Sequence, residues 1–175
     1  MTQGPGQWVG LAVFIVVCLA VGGLGGSVTA RSLDSWYRHL HRPIFAPPNW
    51  LFGPAWTALY VLMAVAAWWV WREHGLGATP AGFALFAVQL ALNLAWSLIF
   101  FGMRRPDVAL VDVAVLWAAI LATLLAFWRV EPVSGALLLP YLAWVSYAAM
   151  LNFEFWRLNR GTERIGFQGR GGRDV

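Results

Sequence analysis

Residues 75–103 read GLGATPAGFALFAVQLALNLAWSLIFFGM, a stretch without a single Asp, Glu, Lys or Arg. A helix crosses the hydrocarbon core of a bilayer with about 20 predominantly apolar residues, so this run is long enough to span. It opens on Thr79-Pro80, a capping hydroxyl followed by proline at the first helical position. Residues 43–71 form a second run free of the same four residue types. Extending outward, the apolar pattern predicts helices over 8–29, 49–71, 80–103, 107–128 and 132–157. The expected fold is all-α, an integral membrane bundle of five transmembrane helices within 1–160. Residues 161–175, rich in Arg and Gly, are expected to form a disordered tail. Pro54 and Pro140 fall inside two of the spans, where each removes a backbone hydrogen bond and favours a kink.

Composition agrees. Hydrophobic residues make up 60% of the chain and charged ones 11%, whereas soluble domains carry about 25% charge. A soluble enzyme is excluded. Cys18, the single cysteine, permits neither an internal disulfide nor a Cys-based metal site. It reads as a small buried hydrophobe. The amino-terminal region lacks Lys and Arg, and the apolar run from Trp8 to Val28 exceeds a typical signal-peptide core, so no cleaved leader is expected.

The formal charge is +4 and all twelve basic residues are arginines. They lie outside the apolar cores, which argues for helix ends and loops and against nucleic-acid binding. Arg31, Arg38, Arg42, Arg104, Arg105, Arg157, Arg160, Arg164, Arg170 and Arg173 fall on one side of a five-span topology, Arg72 and Arg129 on the other. By the positive-inside rule the N-terminus is outside, and the C-terminus and first loop are cytoplasmic. Arg and Ala in abundance with no Lys suit a GC-rich bacterial genome. A bacterial cell membrane is therefore expected, and a helical bundle argues against an outer-membrane barrel.

Twelve tryptophans divide by depth. Eight lie near predicted helix ends, as in an interfacial aromatic belt. Trp56, Trp96, Trp117 and Trp144 lie deeper, roughly 10–20 Å from the cytoplasmic ends at 1.5 Å per residue. Facing lipid, each indole N–H would lack a partner, so an inward ring of aromatics is expected, serving either bundle packing or a ligand. On the third helix Ala87, Ala91 and Ala95 form a small-residue stripe. Gln89, Asn93, Trp96 and Ser97 lie on the opposite face. The stripe suits close helix approach, within the monomer or in a homodimer. Tyr141, Trp144, Ala148, Leu151 and Asn152 share a face of the fifth helix, and Trp56, Tyr60, Met63 and Ala67 one of the second. Aromatic slabs beside small residues describe a slot for a planar molecule.

Over this slot lies the first loop. Its Arg38 and Arg42 suit either the carboxylates of an anionic ligand or lipid headgroups. Asp112, about a turn into the fourth helix, is a functional or a structural acid. Glu154 can pair with Arg157 or Arg31. The sequence holds no triad, phosphate loop or carboxylate pair, and no metal site is expected.

These residues resemble the tryptophan-rich sensory protein family (TspO/MBR), whose eukaryotic members are the mitochondrial translocator proteins. The matching stretches include Trp36-Tyr37, Pro47-Pro48-Asn49-Trp50, Gly53-Pro54-Ala55-Trp56-Thr57, Gln89-Leu90-Ala91-Leu92-Asn93, Ala109-Leu110-Val111-Asp112, Pro140-Tyr141-Leu142-Ala143-Trp144 and Leu151-Asn152. The resemblance implies a five-helix bundle, often dimeric, that binds porphyrins such as protoporphyrin IX, haem, sterols and benzodiazepine-type compounds. It places Tyr37, Pro47, Trp56, Asn93, Trp96, Trp144 and Ala148 in the pocket. Some bacterial members degrade protoporphyrin in light, which would give Trp56 and Trp144 a catalytic role. The family's sterol-recognition stretch departs here, with Phe153 where a Tyr is expected. The leading expectation is a receptor or sensor with porphyrin or haem as ligand and no required cofactor. A porphyrin or sterol transporter and a photochemical enzyme are the alternatives.

Overall fold

The computed structural model describes residues 6–33 and 35–160; the predicted tail over 161–175 lies outside them. Five helical segments are long and apolar enough to cross a membrane. The first is α1 (Gly6–Leu33) and the second α2 (Phe52–His74), which a 3₁₀ turn at Asn49–Leu51 introduces. α3 (Pro80–Ser97) continues into a π-helical turn at Leu98–Gly102, and α4 covers Pro106–Val130. The fifth span comprises α5 (Pro132–Leu137) and α6 (Leu139–Asn159). The helices close into a ring in which α1 packs on α2 and α3, α3 on α4, α4 on α5 and α6, and α5 back on α2.

Local chemistry sets the helix ends. Thr79 Oγ1 accepts from the Gly82 N–H at 3.2 Å with Pro80 in the first turn, so one orphan donor is satisfied. α2 stops at Gly75, whose φ of 73° suits the left-handed region that glycine enters without penalty. The two internal prolines behave differently. Pro54 falls in the first turn of α2, where its missing N–H would be unpaired anyway, so no kink follows. Pro140 interrupts its span: the Leu138 N–H turns back to bond the Gly135 carbonyl at 3.1 Å, and α5 ends at Leu137, three residues before the proline.

The π turn has a packing consequence. Phe100 and Phe101, adjacent in sequence, are both buried, because the widened turn presents both toward the interior. Their rings meet at 4.8 Å, and Phe100 also lies 5.6 Å from the Trp96 ring. In the first loop Tyr37 plugs this end of the bundle, 5.0 Å from the Phe155 ring and 5.8 Å from that of Phe101. The loop is held to α6 by side chains. Asn159 accepts from the His41 N–H at 3.0 Å and donates to its carbonyl at 3.1 Å. Tyr147 donates to the Phe45 carbonyl at 2.8 Å.

Candidate ligand-binding site

Trp56 is the hub of the interior. Its ring lies 5.9 Å from Tyr60, 6.3 Å from both Trp96 and Tyr141, and 6.4 Å from Trp144. The Trp144 contact is edge-on, at 85°, so the two indoles touch rather than bracket a gap. Among the described residues no slot for a planar molecule opens between these two rings, and the open space lies on the other side of Trp56.

There a cavity of about 390 Å³ separates α1 from α2 and α3. One wall is the glycine face of α1, carrying Gly22, Gly23 and Gly26; the other carries Trp56, Tyr60, Asn93 and Trp96. The glycines bring α1 in close. A Cβ on Gly22 would stand 2.5 Å from the Tyr60 ring and one on Gly25 3.1 Å from Ser97 Oγ. A Cβ on Gly23 would meet nothing within 4 Å, because that position faces open space. The volume falls in the range of small-molecule sites, about 300–1,000 Å³. The lining is neutral throughout, and its polar edge comes from Asn49, Thr57, Thr29 and Ser97. A wall flattened by three glycines opposite two indoles suits a flat apolar molecule.

Buried hydrogen bonds hold the aromatic wall. Tyr60 donates to Asn93 Oδ1, Asn93 Nδ2 donates to the Tyr141 hydroxyl at 2.8 Å, and all three side chains are buried. Trp96 Nε1 donates to Asn152 Oδ1 at 3.0 Å, and Asn152 Nδ2 donates to the Pro106 carbonyl at 2.7 Å. These bonds cross between helices where water is excluded, so they fix the azimuth of each ring.

The other predicted site residues scatter. Tyr37, Trp96 and Ala148 share a crevice of about 20 Å³, and Trp144 lies in an outer groove between α2 and α6 with Ala55, Ala58 and Pro140. Pro47 is buried in the loop, its carbonyl accepting from Arg42 Nη2 at 3.3 Å. That guanidinium also donates to Asn49 Oδ1 at 2.8 Å and lies 5.2 Å from the Tyr37 ring. Arg42 therefore staples the loop and does not line the cavity; neither does Arg38, an exposed side chain. Burial raises the Tyr37 phenol above its usual pKa, against a smaller opposing pull from Arg42.

Trp117 departs from the expected ring. It lies at the surface, and its Nε1 donates to Ser146 Oγ on α6 at 2.8 Å. A hydroxyl on the neighbouring helix satisfies the indole from outside, so inward orientation is unnecessary. Ala87 and Ala91 are exposed and Ala95 half-buried, while Gln89, Asn93, Trp96 and Ser97 are buried, as two opposite faces require. Asp112 is half-buried with Oδ2 shielded and without a hydrogen bond. Glu154 pairs with Arg157 at 2.7 Å. Among the described residues no three His, Cys, Asp or Glu side chains gather as a metal site would need.

The sequence reading missed the glycine wall. Gly22, Gly23, Gly25 and Gly26 were visible as a cluster in an apolar span, which is the signal for close helix approach.

A family model described as "TspO/MBR family" matches residues 14–157, a range that contains every residue of the cavity. The chain belongs to the TspO/MBR family. It is 44% identical over 153 residues to the tryptophan-rich protein TspO of Chlorobaculum tepidum, covering 85% of this chain and 95% of that one. It is 40% identical over 156 residues to the tryptophan-rich sensory protein of Cereibacter sphaeroides, covering 87% and 93%. Similarity extends to the translocator protein of Sus scrofa, 40% identical over 146 residues, covering 79% and 85%. Membership and five apolar helices together establish an integral membrane protein.

Proposed function

We propose that this TspO/MBR protein is a membrane receptor or sensor that binds planar tetrapyrroles of the porphyrin and haem type between α1 and the Trp56–Trp96 wall. The observation that carries the reading is the neutral cavity of about 390 Å³ with glycines on one side and two indoles on the other. A macrocycle lies flat against the aromatic wall, and its carboxylates extend to the mouth beside Asn49, since no cation lines the interior. Titrating the purified protein with protoporphyrin IX should quench tryptophan fluorescence. Gly23→Phe fills the cavity from a position with free space and should weaken binding by at least about tenfold, given the burial such ligands need. Equal affinity in wild type and Gly23→Phe would reject the site.

A second reading, light-dependent porphyrin breakdown, is favoured by the chain of oxidisable rings from the cavity wall at Trp56 to the surface groove at Trp144. Its signature is loss of porphyrin absorbance on illumination, slowed by Trp144→Phe. The arginine distribution supports an outside N-terminus, and abundant Arg and Ala without Lys support a bacterial cell membrane. Homodimerisation through Ala87, Ala91 and Ala95 is supported by the exposure of the first two.

A further inference from the structure

A second cavity, about 410 Å³, lies at the end of the bundle capped by the first loop and shares no lining residue with the site above. The loop contributes Trp36, His39 and His41, the start of α4 contributes Asp107, and the end of the fifth span contributes Trp156 and Arg160. Every one of these stands at a helix end or in a loop, the level at which a bundle of five spans meets headgroups.

Its polar groups are free for a ligand to an unusual degree. Asp107, the single acid in the lining, is neutralised by Arg105 through two bonds of 2.9 and 2.7 Å. His41 is positioned through its backbone by the Asn159 clasp, and its ring makes no hydrogen bond among the described residues. His39 Nδ1 lies 2.7 Å from the Ser35 carbonyl, which only accepts, so that nitrogen carries a proton and Nε2 stays open. The Arg160 guanidinium sits 5.3 Å from the Trp156 ring, a stacking that leaves its N–H edge available. The indole N–H groups of Trp36 and Trp156 are likewise unpaired among the described residues. The balance is one guanidinium, two imidazoles and two indole donors around a compensated acid. That set suits a phosphate: arginine supplies charge-assisted donors, and the two indoles and the His41 ring add N–H donors.

Apolar surface continues from the pocket toward the membrane interior. Phe153, exposed, packs on Trp156 at 5.9 Å, and Val111, also exposed, lies one turn below Asp107 on α4. A free phosphate has no use for such surface, whereas acyl chains do. We propose that this pocket is a binding site for the headgroup of an anionic phospholipid, whose chains run down the outer faces of α4 and α6.

The test uses the full chain in lipid nanodiscs or detergent with native mass spectrometry as readout. Wild type should retain a phosphatidylglycerol molecule in preference to phosphatidylcholine. The triple variant His39→Ala, His41→Ala, Arg160→Gln should retain it on the order of tenfold less, as loss of interfacial basic contacts implies. All three side chains are exposed, and an unchanged protoporphyrin titration confirms the variant is folded. Equal retention of the two lipids by wild type, or equal phosphatidylglycerol retention by wild type and variant, overturns the proposal. So does thermal stabilisation by inorganic phosphate as large as that by the lipid, which would make the ligand a soluble anion.

Discussion

Replacing Asn93 by Ala should loosen the aromatic wall more than any other single truncation in α3. Its side chain bridges Tyr60 on α2 and Tyr141 on the fifth span by hydrogen bonds, and it is 1% exposed. Hydrogen bonds between transmembrane helices average about 0.6 kcal/mol and reach about 1.7 kcal/mol. Here both phenols are buried, at 5% and 0%, so the upper part of that range applies to each bond. Adding the void left by the lost amide, Asn93→Ala should cost about 2–4 kcal/mol. Unfolding titrations in bilayers would measure it, and a cycle with Tyr141→Phe isolates the bond. Tyr141→Phe should cost about 1 kcal/mol alone and close to nothing once Asn93 is gone. A cost for Asn93→Ala below about 0.5 kcal/mol, or a fully additive cycle, would refute the view that this bridge holds the wall.

The glycines of α1 give a paired expectation. Gly10→Ala places a methyl 2.1 Å from the Trp71 ring and should destabilise by about 1–3 kcal/mol. Gly23→Ala, with open space around it, should be neutral or slightly stabilising. Comparing the two melting temperatures checks this. Ala91→Leu should weaken self-association measured by energy transfer between labelled copies in vesicles, and unchanged transfer would discard the α3 interface. A reporter fused to the C-terminus should be active only in the cytoplasm, and activity outside would reverse the orientation.

Much of the bundle was legible because membranes simplify the code. Uncharged runs around Trp56 and Asn93 can only be spans, and Thr79-Pro80 announces a helix start wherever it stands. The opposed faces of α3 followed from the 100° step alone. What stayed hidden depends on how one helix is rotated against the next. Depth along a helix can be counted, so Trp56 and Trp144 were rightly placed at similar height. Their edge-on contact, however, follows from azimuth, which Asn93 and Tyr141 fix through bonds between distant spans. Trp117 was misread for the same reason, since Ser146 becomes its acceptor only after α4 and α6 have packed. The π turn at Leu98–Gly102 has no local sequence signature; it follows from seating both Phe100 and Phe101 beneath Tyr37.

The first loop owes its position to the far end of the chain. Asn159 and Tyr147, which hold His41 and Phe45, are more than 100 positions later in the sequence. During synthesis four spans can enter the bilayer with that loop still unlatched, and the lid over Phe100 and Phe155 settles only as the last helix leaves the ribosome. A chain truncated within its final turn would lose the Asn159 latch while keeping all five crossings.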